Sequence, residues 1–207
     1  MNGITVASMS YRTVLLFGAP GSGKGTQGKI LGQLPGYFHF ACGDAFRSLD
    51  PKSEIGQVFA RYSKTGSLVP DEFTVELWRQ SIESAVTAGR YNPDQQILLL
   101  DGIPRTLKQA TIMASKLDVQ SVIYLFINDV EQIVERLRKR ASVEKRADDT
   151  NIEIIRYRID IYEEQTRPLL DFYRNNHIHR VNATQTPERV TQDVRSALER
   201  QHRRSEW

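Results

Sequence analysis

Short apolar runs recur along the chain between longer stretches of mixed polarity. Residues Thr13–Phe17, Tyr37–Phe40, Ile97–Leu100, Ser121–Ile127 and His177–Asn182 read as five strands. Four of these are apolar at nearly every position, as strands covered on both faces are. The intervening segments have the length and period of helices. Thr150-Asn-Ile-Glu153 has the form of a capping box and predicts a long helix reaching about Tyr173. Asn128 or Asp129 is placed to cap the helix after the fourth strand, and Thr186-Pro187 sets an N-cap and a first-turn proline for the last one. Strands alternating with crossovers of this length predict an α/β fold: a five-stranded parallel sheet with helices on both faces. Ligands then bind at the carboxyl ends of the strands.

Two segments fit the alternation less well and read as insertions above that edge. Residues 42–73 form a helical stretch with turn signals at Asp50-Pro51 and Gly66, longer than one crossover requires. Residues 138–149 are dense in charge and interrupt a helix-to-helix connection. With no internal repeat and no Pro/Gly/Ser linker, residues 1–207 are treated as one domain.

Composition narrows the class. Hydrophobic residues make up 40% and charged residues 26% of the chain, ordinary globular usage. The net charge of +3 is too small for a general nucleic-acid binder. Of the 28 basic residues 20 are Arg, the side chain that grips phosphate bidentately and stays charged when desolvated; a compositional bias of the genome would leave the same trace. A lone Cys42 offers neither an intramolecular disulfide nor a cysteine zinc site, which points to reducing, cytoplasmic surroundings. No stretch approaches the ~20 apolar residues of a membrane span, and residues 1–12 lack the pattern of a secretory signal. The basic tail 200–207 receives no function.

Directly after the first strand stands Gly18-Ala-Pro-Gly21-Ser22-Gly23-Lys24, followed by Gly25-Thr26 and a helical pattern. This spacing matches a P-loop: glycines let backbone N–H groups turn inward, the helix start adds its positive end, and Lys24 brings a charge to the terminal phosphates. A plain glycine-rich turn is the alternative. Gly25 occupies the position where many P-loop proteins carry a Ser or Thr that ligates Mg²⁺, with Thr26 displaced by one. Magnesium would then depend on phosphate oxygens, water or a separate carboxylate.

Further motifs follow in order: Gly43-Asp44-Ala-Phe-Arg47, Gly66-Ser-Leu68-Val69-Pro-Asp71, Leu99-Leu-Asp101-Gly102-Ile-Pro-Arg105-Thr106 with Gln109, then Arg136, Arg140, Arg146-Ala-Asp-Asp149 and Arg156. Together with the P-loop they resemble the nucleoside monophosphate kinases, specifically the adenylate kinases, from about Thr13 to Ala183. The resemblance implies a P-loop kinase core, a mobile monophosphate-binding arm at 42–73 and a short lid at 138–149, in a chain expected to be a monomer. It implies phosphoryl transfer from MgATP to AMP, giving two ADP, with no nucleic-acid or membrane partner.

By family position, Lys24, Arg47, Arg105, Arg140, Arg146 and Arg156 are the expected catalytic cations. Gly18, Gly21, Ser22, Gly23, Lys24, Gly25 and Thr26 would hold ATP, with Arg136 stacked on the donor adenine. Cys42, Arg47, Leu68, Val69, Gly102, Arg105 and Gln109 would hold the acceptor, Arg47 and Arg105 clamping its phosphate. Asp101 would hold Mg²⁺ through water. An acceptor phosphate is already ionised near neutral pH, so alignment and charge neutralisation are the needs and no general base is required. The histidines are scattered; His177 and His179 alternate on a strand and read as solvated or core residues rather than metal ligands. Any one of the arginines read alone could be an exposed ion pair, as expected for Arg138 and Arg158.

Two positions depart from the adenylate kinase pattern. Cys42 replaces a Thr or Ser near the acceptor base, and Ile97, replacing a glycine, could narrow the pocket. Thr106 and Gln109 favour AMP, Gln109 because its amide offers both a donor and an acceptor to an adenine edge. UMP, CMP or another small acceptor is the rival reading, as is a nucleotide-binding module that has lost turnover.

Overall fold

The computed structural model describes residues 10–144 and 146–205, with the side chains of 147 and 201–205 left aside. The start read for a targeting signal at 1–9, and the tail positions 206 and 207, lie outside the described residues. Elements run in the order β1 (Tyr11–Phe17), α1 (Lys24–Leu31), β2 (Tyr37–Ala41), α2 (Cys42–Arg47), α3 (Glu54–Thr65), α4 (Asp71–Thr87), β3 (Ile97–Asp101), α5 (Leu107–Met113), β4 (Leu117–Phe126). Then follow α6 (Val130–Glu144), a 3-10 turn (Ala147–Asp149), α7 (Ile152–Ile161), a π turn (Tyr162–Thr166), α8 (Leu169–Phe172), β5 (His177–Asn182) and α9 (Pro187–Ser205).

All five strands are parallel, in the order β2-β3-β1-β4-β5. Period-two alternation divides the core into two layers. Leu15, Phe17, Leu98 and Leu100 face the layer under α2, α4 and α5, whereas Val14, Leu16 and Leu99 face α1 and α9, where Val190 and Val194 complete the packing. A third cluster joins Ala19 of the loop after β1 to Ile133, Leu137, Ile155 and Ile159 of α6 and α7. The loop is thereby mechanically tied to the helices beyond the fourth strand.

Three expectations change. The helix foreseen from Thr150 to about Tyr173 is instead three pieces. Asn151, not Thr150, caps it by accepting from Glu153 N at 2.7 Å. Pro168 lacks an N–H and its ring crowds the preceding turn, and the chain widens into the π turn, with Arg167 N donating to Tyr162 O at 2.8 Å. Residues 138–144 continue α6 rather than breaking it. Ile97 does not narrow a ligand pocket: it begins β3 beside Tyr37, at the opposite end of the strand from Asp101, and packs with the α1/α9 layer. A strand of that length separates its ends by roughly 13 Å. Asp129 does cap α6, accepting from Glu131 N at 2.9 Å, and α9 does begin at Pro187.

Candidate active site

The carboxyl ends of β1, β2 and β3 open into a cavity of about 880 Å³ that continues between the 42–73 segment and the ends of α6 and α7. One wall is the loop after β1. Gly18, Gly21 and Gly23 have φ of 148°, 80° and 95°, values that L side chains rarely adopt. A Cβ at Gly18 would also collide with the Leu125 carbonyl and the Ser22 hydroxyl. The loop closes on itself through Ser22 N to Ala19 O at 3.1 Å and runs into α1, whose N-cap Gly23 provides no side-chain acceptor for the first N–H groups. Lys24 Nζ donates to Gly18 O at 2.6 Å and Ala19 O at 3.0 Å. Burial pushes this ammonium down to about 8; Asp101 opposes the shift, and Arg105, Arg140 and Arg158 reinforce it.

Arg105 forms the opposite wall. Its Nε donates to Gly102 O at 2.9 Å, and the guanidinium lies over Gly102, whose φ of 79° and missing Cβ make the room. Both backbone polar groups of Arg105 are held by side chains: its N–H donates to Gln109 Oε1 at 2.7 Å, and its carbonyl accepts from Thr166 Oγ1 at 2.9 Å. Burial, followed by the like charges of Arg158 and Arg47, lowers its hold on its proton. Arg47 packs over Gly43 in the same way and reaches Asp44 at 2.5 Å. Cys42 is buried beneath them, and burial pushes its thiol up to about 12, so the sulfur meets a ligand as a neutral group.

Asp149, with no exposed surface, accepts from Arg140 Nε of α6 at 2.7 Å and from Arg158 Nη1 of α7. Asp148 joins Arg158 at 3.0 Å. One nitrogen of Arg140, Nη2, is buried without a hydrogen-bond partner. Arg146 pairs with Glu144 at 2.6 Å and lies 3.8 Å from Asp44 across the cavity, so the 138–149 segment faces the 42–73 segment.

The cavity brings together every residue expected to act in catalysis or to hold ATP, the acceptor or magnesium, except one. Gly21, Ser22, Gly25, Thr26 and Arg136 line its P-loop side, Leu68, Val69, Gly102 and Gln109 its acceptor side, with Asp101 between them and Arg140 and Arg146 above. Arg156 is the exception. It is about half exposed, pairs with Glu131 at 2.7 Å and does not line the cavity, whereas Arg158, expected outside, does. Residues two apart on a helix differ by about 200° in direction. The buried stripe of Ile155, Ile159 and Tyr162 leaves Arg156 toward solvent and Arg158 on the side of Ile154 and Ile161, and Ile161 also lines the cavity. Reading that stripe would have chosen Arg158.

The Gln109 amide is also engaged within the protein, Oε1 accepting from Arg105 N and Nε2 donating to Asp71 Oδ1 at 2.9 Å. His39, which no motif contained, is largely but not fully covered, with Nε2 4.0 Å from Asp101 Oδ2, and desolvation lowers its pKa.

Comparison with known proteins decides the family. The adenylate kinase family model matches residues 16–178. The chain belongs to the adenylate kinase family. An adenylate kinase of Porphyromonas gingivalis is 40% identical over 184 residues, spanning 86% of this chain and 90% of that protein. Adenylate kinases of Thermobifida fusca (38% over 192 residues, 89% and 97%) and Kocuria rhizophila (35% over 193 residues, 90% and 98%) are similar over nearly their full lengths. Membership of the adenylate kinase family makes this chain a nucleoside monophosphate kinase, a phosphotransferase built on a P-loop α/β fold. Among the described residues no helix is long and apolar enough to cross a membrane.

Proposed function

We propose that the protein catalyses reversible transfer of the terminal phosphoryl group of MgATP to AMP, as a cytoplasmic monomer whose 42–73 arm and 138–149 lid close over the two nucleotides. The observation that carries this reading is the convergence of Lys24, Arg105, Arg140 and Arg158 on one cavity, close enough that the three guanidiniums lower the proton affinity of the lysine. Mutually repelling cations are costly to collect in a semi-enclosed site unless a polyanion neutralises them.

The P-loop N–H groups and Lys24 bind the donor phosphates, and Arg47 and Arg105 grip the acceptor phosphate, each as a fork. Arg140 and Arg158, held side by side by Asp149, together with Arg146, neutralise the migrating phosphoryl from the lid side. Arg136 lies beside the donor base. Since the acceptor oxygen is already ionised, these residues align the two phosphates in line and exclude water.

Magnesium fits the residues present. Gly25 offers no hydroxyl, and among the described residues no group of three or more potential metal ligands occurs, but Asp101 Oδ2 lies 3.6 Å from where a Cβ of Gly25 would stand. A single carboxylate at the P-loop suits an ion that keeps most of its waters and binds mainly to phosphate. When bound, Mg²⁺ supplies charge neutralisation at the β- and γ-phosphates, with Asp101 orienting its water shell.

The test is a coupled assay of the purified protein with ATP and a panel of monophosphates. Formation of ADP from ATP and AMP, well above that from UMP or CMP, is expected. Transfer only to a pyrimidine monophosphate, or nucleotide binding without turnover, overturns the reading.

A further inference from the structure

We infer that Asp71 is a specificity-determining positioning residue: by fixing the orientation of the Gln109 amide, it selects acceptor bases carrying an amino group over those carrying an oxo group. The inference rests on the acceptor site proposed above.

Asp71 opens α4, at the end of the arm, and reaches across to the start of α5. Its Oδ1 accepts from Thr106 Oγ1 at 2.9 Å and from Gln109 Nε2 at 2.9 Å. The directions of these bonds are forced. Thr106 Oγ1 already accepts from Gln109 N at 3.1 Å as the cap of α5, so its single proton points to Asp71. A carboxylate accepts only, so the nitrogen end of the Gln109 amide faces Asp71. At the other end Arg105 N–H can only donate, so Oε1 faces Arg105. A flipped amide would set oxygen against carboxylate and NH₂ against N–H, losing both bonds and adding repulsion at each.

Gln109 is almost fully buried and lines the cavity. One hydrogen on Nε2 and one lone pair on Oε1 are left for a ligand. A 6-aminopurine presents a donor at N6 beside an acceptor at N1, which this fixed pair complements. A 6-oxopurine presents an acceptor at O6 beside a donor at N1, which would require the flipped amide. The same chemistry divides cytosine, with its amino group beside N3, from uracil. Thus a side chain in the arm that does not line the cavity sets the hydrogen-bond polarity of one that does.

AMP and IMP differ in just this exchange, so they are the probes. Binding of each to the full-length wild type, D71N and D71A is measured by calorimetry, alongside turnover with ATP. Wild type is expected to prefer AMP over IMP. D71N keeps the shape but can turn its own amide to meet a flipped Gln109, and D71A removes one of the two locks. Both should narrow the AMP-over-IMP ratio of affinities by about tenfold or more, by weakening AMP and strengthening IMP. E72Q is the control: Glu72 pairs with Lys108 and joins the same two helices without touching the amide, and it should leave the ratio unchanged. A merely structural Asp71 would weaken both ligands alike. A ratio held within about twofold in folded D71N and D71A, or a wild type without preference for AMP, overturns the inference. Absence of turnover with intact AMP binding would instead refute the phosphotransfer reading, and the affinity ratio would still decide this one.

Discussion

Two arginines of α7 show how much a single residue's role depends on facing rather than on order in the motif. Arg156 sits among the expected catalytic cations by sequence order, yet it lies on the solvent side with Glu131, and Arg158 occupies the cavity. The arginine-rich pattern was legible in the order of the motif; the choice between the two positions is set by helical phase, which the isoleucine stripe carries and the motif order does not. R158A should therefore lower kcat/KM by about 10² or more, within reach of the ~10³ to 10⁵ assigned to transition-state arginines, whereas R156A should stay within about threefold. Steady-state kinetics of the two variants checks this, and equal effects would remove the distinction. R105A belongs with R158A. Its backbone is held by Gln109 and Thr166 whatever the side chain, so turnover should fall by about 10³ or more while the melting temperature moves little.

Among the elements, the strands and the P-loop were legible because each rests on a local signal: consecutive apolar residues, or glycines where the chain must take positive φ. The break after α7 was not, since it depends on how Pro168 and the π turn bring Tyr162 and Thr166 to the cavity, a tertiary requirement. Asp149 is a buried carboxylate between two guanidiniums of different helices, and its removal leaves two like charges facing one another. D149A should lose about 3 to 5 kcal/mol of stability, read from urea unfolding midpoints, the usual cost of breaking a buried pair from one side. Inorganic pyrophosphate should raise the melting temperature of D149A more than that of wild type, because an added polyanion replaces the missing counter-charge. Equal increments would mean that the two arginines do not face the anion site.

At the scale of the molecule, the parallel sheet delivers cations from separated stretches of sequence to one rim, and Lys24 records their summed field. Burial, Arg105, Arg140 and Arg158 bring its ammonium from an ordinary 10.5 to about 8, against the pull of Asp101. Between those values the unfolded chain holds more protons than the folded one, so this lysine's contribution makes stability rise with pH. Below pH of about 8 the penalty for folding a charged Lys24 is complete, and it is relieved as the pH climbs toward 10. In the ligand-free state K24M should consequently melt above wild type at pH 7, with the difference shrinking between pH 8 and pH 10 as the two melting curves are followed in parallel. A bound polyphosphate reverses the balance by favouring the charged amine, so ATP binding to wild type should take up protons above pH 8 and weaken as the pH rises. Calorimetric titrations in buffers of different ionisation enthalpy measure that uptake directly, and K24M should show less of it. A pH-independent melting difference, with no proton uptake assignable to Lys24, would mean that the cations around the cavity do not act on one another as a single field.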